Sequence, residues 1–63
     1  MSLRERLLNE LFYPGEECAE PTTTDTLAFL VRRDVDDVRR ELNFMLVDGL
    51  VLWRDGWYQK ERP

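Results

Sequence analysis

The residues best suited to chemistry in this 63-residue chain lie between Arg32 and Asn43. Arg39, Arg40 and Asn43 fall away from the apolar positions Val38 and Leu42 when spaced on a helix. Arginine matches the acceptor pair of guanine and asparagine the donor–acceptor pair of adenine, so this trio could read base edges in a major groove. Arg32, Arg33, Arg54 and Lys60 could hold phosphates. Opposing them, Asp34, Asp36 and Asp37 open the same segment, and a carboxylate repels phosphate. A second reading of the same face is a solvated one, pairing Asp36 with Arg40 and Arg39 with Asn43 as helical neighbours.

Other chemistries are excluded by what is missing. The chain has one cysteine, Cys18, and no histidine. A lone cysteine forms no internal disulfide, and structural zinc or iron–sulfur sites need several thiolate or imidazole ligands. Hydrolytic triads built on histidine are also out. Glu16 and Glu17 could hold a cation only loosely. No metal, no cofactor and no enzymatic activity are expected. The longest uninterrupted apolar run, Leu27 to Val31, is far short of the roughly 20 residues that span a membrane. No signal-peptide core precedes it, so a cytoplasmic location is expected.

Net charge is −4, which by itself argues against nucleic acid. The charge is unevenly spread. Glu10, Glu16, Glu17, Glu20 and Asp25 meet no basic residue between them, whereas Arg32 to Asn43 is balanced and the chain from Arg54 on is slightly basic. Hydrophobic content of 43% argues for a folded chain. At this length it forms one domain over residues 1–63 with a modest core.

The elements that must position these residues follow from periodicity and punctuation. Ser2 with Glu5 is a capping box, and Leu3, Leu7, Leu8, Leu11 and Phe12 make a helical stripe that stops at Pro14-Gly15. Helix 1 is expected over about 3–12. Thr22 to Thr24 supply an N-cap, or alternatively a short strand, before helix 2 at about 24–32, with Leu27, Ala28, Leu30 and Val31 turned inward. Asp34 with Asp37 reads as a second capping box. Helix 3 follows at about 35–48, with Val35, Val38, Leu42, Met45 and Leu46 on one face and Gly49 as its C-cap. Asp55-Gly56 between two β-prone runs predicts a hairpin over about 50–60 that pairs Arg54 with Trp57 and Trp53 with Tyr58.

This order is that of a winged helix, an α+β fold in which a β-hairpin wing follows a helix-turn-helix within a three-helix bundle. The residues go further. Leu27-Ala28-Phe29-Leu30-Val31-Arg32-Arg33-Asp34-Val35-Asp36-Asp37-Val38-Arg39-Arg40-Glu41-Leu42 resembles, without a gap, the Leu-Ala-x-x-Leu-Gly-Val-Ser-x-x-Thr-Val-Arg-Arg-Asp-Leu of DeoR-type bacterial repressors. Leu27, Ala28, Val38, Arg39, Arg40 and Leu42 are the same. Asp48-Gly49-Leu50-Val51 is similar to that family's lead into the wing. The resemblance implies a small DNA-binding transcriptional regulator with helix 3 in the major groove of double-stranded DNA; a homodimer, joined through the tail or helix 1, would double a weak footprint. It departs at Arg32-Arg33, where the family has Gly-Val, and at Asp34 and Asp37, where it has Ser and Thr. Without the glycine, either the turn changes or Arg32 takes a strained conformation.

Phe44 and Val47 fall off the inner face of helix 3, and Trp53 and Trp57 lie on opposite hairpin faces. They are either drawn into a small core or left as an exposed apolar patch. The second alternative suits a protein-interaction winged helix with no DNA role, using Glu16, Glu17, Glu20, Phe44, Trp53 and Trp57 against a basic partner.

Overall fold

The structure is a computed structural model, and it describes residues 2–13, 15–16, 22–54 and 56–61. Glu17, Cys18, Glu20 and Asp55 lie outside the described residues. The order is α1 (Leu3–Glu10), α2 (Thr24–Val31), α3 (Val35–Val47), β1 (Val51–Arg54) and β2 (Trp57–Lys60), an α+β arrangement of three helices and an antiparallel hairpin. Among the described residues no helix is long and apolar enough to cross a membrane.

Ser2 caps α1, its hydroxyl accepting from the Glu5 amide at 3.2 Å. The reciprocal half of the expected box is altered: the Ser2 hydroxyl donates to the Glu5 carboxylate at 3.3 Å. The helix ends at Glu10, ahead of Pro14-Gly15, because Leu11 turns extended at φ −92° and ψ 156°. From there the chain runs beside β2, and the Lys60 amide donates to the Phe12 carbonyl at 2.8 Å. Phe12 therefore leaves the helical stripe and is exposed.

The threonines divide the two roles open to them. Thr23 caps α2, its hydroxyl accepting from the Thr26 amide at 3.2 Å. Thr22 pairs with β2 on its own. Its carbonyl accepts from the Tyr58 amide at 2.9 Å and its hydroxyl donates to the Tyr58 carbonyl. The outer amides of β2 are thus both occupied, one by Thr22 and one by Phe12.

Helices α2 and α3 end in the same way. Arg32 sits at φ 56° and ψ 46°, with its amide bonded to the Phe29 carbonyl and that of Arg33 to the Ala28 carbonyl. At the end of α3, Gly49 sits at φ 76°, with its amide on the Leu46 carbonyl and that of Leu50 on the Met45 carbonyl. Both are Schellman motifs, which close a helix through one left-handed residue. The second uses the glycine that such a residue ordinarily is, and the first uses an arginine. The strained alternative for Arg32 is the one adopted.

The hairpin has the expected register: Val51 faces Lys60, Leu52 faces Gln59, Trp53 faces Tyr58 and Arg54 faces Trp57. Val51 and Tyr58 turn inward, and the Trp53 and Tyr58 rings meet edge-on with centroids 4.7 Å apart. The core is Leu7 and Leu11, Leu27, Ala28 and Val31 from α2, Val38, Leu42 and Met45 from α3, then Val51 and Tyr58. Leu3, Leu8, Val35 and Leu46 pack against it. Leu30, expected inside, is exposed. At 100° per residue it stands a quarter-turn or more from the line through Leu27, Ala28 and Val31, and no element covers that flank.

Candidate nucleic-acid interface

The turn, α3 and the hairpin present the candidate side chains. Arg32 and Arg33 are exposed in the turn between α2 and α3. Asp34 caps α3, and its Oδ1 accepts from the Asp36 amide at 2.9 Å. That bond goes to the second helical amide and not to the amide of Asp37, and among the described residues none returns from Asp37, so Asp34 caps the helix without forming the expected box. A helix N-terminus binds anions through its free amides. Here one of those amides already holds a carboxylate of the chain itself.

At 100° per residue, the line opposite Val38, Leu42 and Met45 runs through Asp36, Arg40, Asn43, Phe44 and Val47. All are exposed. Phe44 and Val47 have 55% and 85% of their surface exposed, so they are not recruited to the core. Arg39 lies to one side and bridges Asp36 at 3.2 Å, an i,i+3 pair. Both side chains are largely in water, where such a pair contributes little and is screened by salt. The neighbouring pair is therefore Asp36 with Arg39, not the expected Asp36 with Arg40.

Arg54 is exposed at the end of β1, beside the hairpin turn. Lys60 is half-buried at the other end of the hairpin, opposite Val51. Its ammonium lies 5.0 Å from the centre of the Tyr13 ring, within cation–π range. Leu8, Tyr13, Leu50, Lys60 and Glu61 line an open cleft of about 240 Å³ there. Of the candidate cations, Lys60 thus stands at the hairpin's base, not its tip.

The acidic and aromatic candidates are scattered. Glu16 is exposed and accepts from the Tyr13 amide at 2.7 Å, closing a local turn. Trp57 is half-buried and Trp53 is 52% exposed, so the hairpin does leave one tryptophan open.

Two features escape sequence reasoning. Phe29 is 82% exposed, one residue from Ala28 in the core. The signal was available, since the 100° step sets it opposite the Leu27–Val31 line. Arg4 joins α1 to α3, bonding Glu41 at 2.9 Å and Asp48 at 3.2 Å. The Glu41 hydrogen bond holds its guanidinium above the ordinary arginine range. Nothing local in the sequence announces a link across 37 and 44 residues. Its consequence for the front face is direct: Glu41 and Asp48 are turned to Arg4. Arg32, Arg33, Arg40 and Arg54 make no ion pair among the described residues.

Among the described residues no cluster of three or more His, Cys, Asp or Glu could hold a metal ion. Comparison with known proteins sets nothing beside this arrangement: no family model, no curated protein and no solved structure matches the chain.

Proposed function

We propose that the chain is a winged helix that docks on double-stranded DNA, with α3 in the major groove and the hairpin as its wing. The observation that supports this reading best is the sorting of the arginines. Arg4 is tied to carboxylates on the far side of α3, while Arg32, Arg33, Arg40 and Arg54 stand exposed, with no ion-pair partner among the described residues, on the turn, the outer line of α3 and the hairpin. Exposed guanidiniums on these elements suit phosphates, and Arg39, Arg40 and Asn43 suit base edges. Regulation of transcription is the role that such docking serves.

The test is a titration of isotope-labelled protein with a duplex at about 50 mM salt, where non-specific binding is strong. Amide shifts at Arg39, Arg40, Asn43 and Gly56 that fade as salt rises are the expected result. Arg39→Ala with Arg40→Ala should abolish the shifts and leave the fold intact. Asp36→Ser with Asp37→Thr should strengthen binding, because both carboxylates sit where phosphate approaches. An unmoved spectrum at low salt removes the DNA reading.

Phe44 and Val47 favour a second reading, a protein-interaction winged helix. They occupy the C-terminal half of the outer line of α3, and exposed apolar residues grouped on one face commonly meet another protein. Binding that hardly responds to salt and is lost in Phe44→Ser with Val47→Ser would select it.

A further inference from the structure

The hairpin has one closed edge and one open edge. The outward amides of Tyr58 and Lys60 are taken by Thr22 and Phe12. In an antiparallel ladder, opposite residues either exchange both their bonds or point both away. Trp53 faces Tyr58 and Val51 faces Lys60, so the backbone groups of Trp53 and Val51 also point away from the ladder, on the far side of β1. They meet no partner among the described residues. Such an edge is a template for another strand, and proteins commonly blunt it with lysine, proline or a covering loop. The only charged residue on β1 is Arg54, at its end.

We infer that this open edge pairs with the same edge of a second copy, joining the two hairpins into one continuous sheet across a two-fold axis at Leu52. The strand is self-complementary in that register. Val51 of each copy faces Trp53 of the other, and both carry outward N–H and C=O groups, so each pair exchanges its bonds. Leu52 meets its own counterpart with Cβ atoms about 4.5–5.5 Å apart. Arg54 falls opposite Leu50 of the other copy. The Leu50 carbonyl is bonded to the Glu61 amide at 3.1 Å, so Glu61 is the next residue across. Arg54 and that Glu61 then lie on one face, roughly 10 Å apart at the backbone, two strand spacings. Side chains of their length bridge this gap, and their charges are opposite. A half-exposed Trp53 gains a neighbour in the other copy's Val51. The assembly forms without DNA, and in it Arg54 turns to Glu61 of the other copy, leaving Arg32, Arg33 and Arg40 for phosphates.

The experiment is sedimentation of the full chain over a concentration series without nucleic acid. The expected result is a shift from the mass of one chain to that of two. Val51 and Trp53 amides should gain protection from exchange as the dimer fills. Leu52→Glu sets like charges face to face and should weaken the dimer at least about tenfold, as should Leu52→Lys. An equimolar mixture of the two variants should restore it, because opposite charges then meet. Arg54→Glu, at an exposed position, should weaken it without touching the hairpin's own ladder, which covers the case in which a Leu52 variant fails to fold. A single-chain mass up to about 1 mM overturns the proposal. So does a dimer that survives both Leu52 variants and Arg54→Glu, which would place the contact elsewhere.

Discussion

Arg32 does at the end of α2 what Gly49 does at the end of α3, and it does so at a cost. A left-handed conformation in a residue with a Cβ costs about 1–2 kcal/mol. Glycine relieves that but brings more freedom in the unfolded chain, about 0.5–1 kcal/mol. Arg32→Gly should therefore raise stability by about 0.5–1 kcal/mol, read as a higher midpoint in urea denaturation. If the guanidinium also holds phosphate, the same variant binds DNA more weakly, and stability and affinity move in opposite directions. A midpoint that falls would mean that the Arg32 side chain stabilises the turn by more than its backbone costs. At this scale the sequence was partly legible. The missing glycine marked the position and its two outcomes, and which one holds depends on the Ala28 and Phe29 carbonyls that the turn satisfies.

Between elements, the most informative contact is Thr22 with Tyr58. Thr22 is buried, and its hydroxyl and carbonyl both bond the β2 backbone. Thr22→Val keeps the shape but leaves the Tyr58 carbonyl short of a donor. The expected loss is about 1–3 kcal/mol, measured by urea denaturation. A loss within about 0.5 kcal/mol would mean that water replaces the hydroxyl. The hairpin and its register were legible because Asp55-Gly56 is a local signal. Helix starts were legible at Ser2, Thr23 and Asp34 for the same reason. The end of α1 was not, because Pro14-Gly15 is a stronger stop than anything at Leu11. The chain leaves the helix at Leu11, and the next residue, Phe12, is bonded through its carbonyl to the amide of Lys60, a partner on β2 that is invisible to a local reading. Thr22–Tyr58 and Arg4–Glu41, 36 and 37 residues apart, are equally unreadable there.

For the molecule as a whole, the Cα radius of gyration of 10.5 Å is what a compact chain of this length has, about 10.6 Å. Its core is nevertheless small, and folded chains of this size hold roughly 3–9 kcal/mol. Leu42 is fully buried on the inner face of α3. Leu42→Ala should cost about 2–5 kcal/mol, a large share of that total. Thermal melting followed by circular dichroism measures it, and a negligible change would mean that the α3 register is wrong. The inner faces of the helices were largely legible from the 3.6-residue period. The outer surface was legible only in part: Arg39, Arg40 and Asn43 lie outward as expected, whereas whether Phe44, Val47 and a tryptophan join the core was left open. Phe29, Phe44, Val47 and Trp53 stay exposed because the core lines of α2 and α3 are already filled by Leu27, Val31, Val38, Leu42 and Met45. A composition count cannot say which hydrophobic residues are left over.

The pairing of Phe12 and Thr22 with β2 has a consequence for how this chain can change. The two residues are fastened to amides two positions apart, roughly 7 Å along the strand. The ends of the intervening segment are thereby pinned, whatever its length. Phe12 and Thr22 thus act as two backbone clasps that hold the end of α1 and the start of α2 against the hairpin, and the carbonyls that make them are present whatever side chain stands at either position.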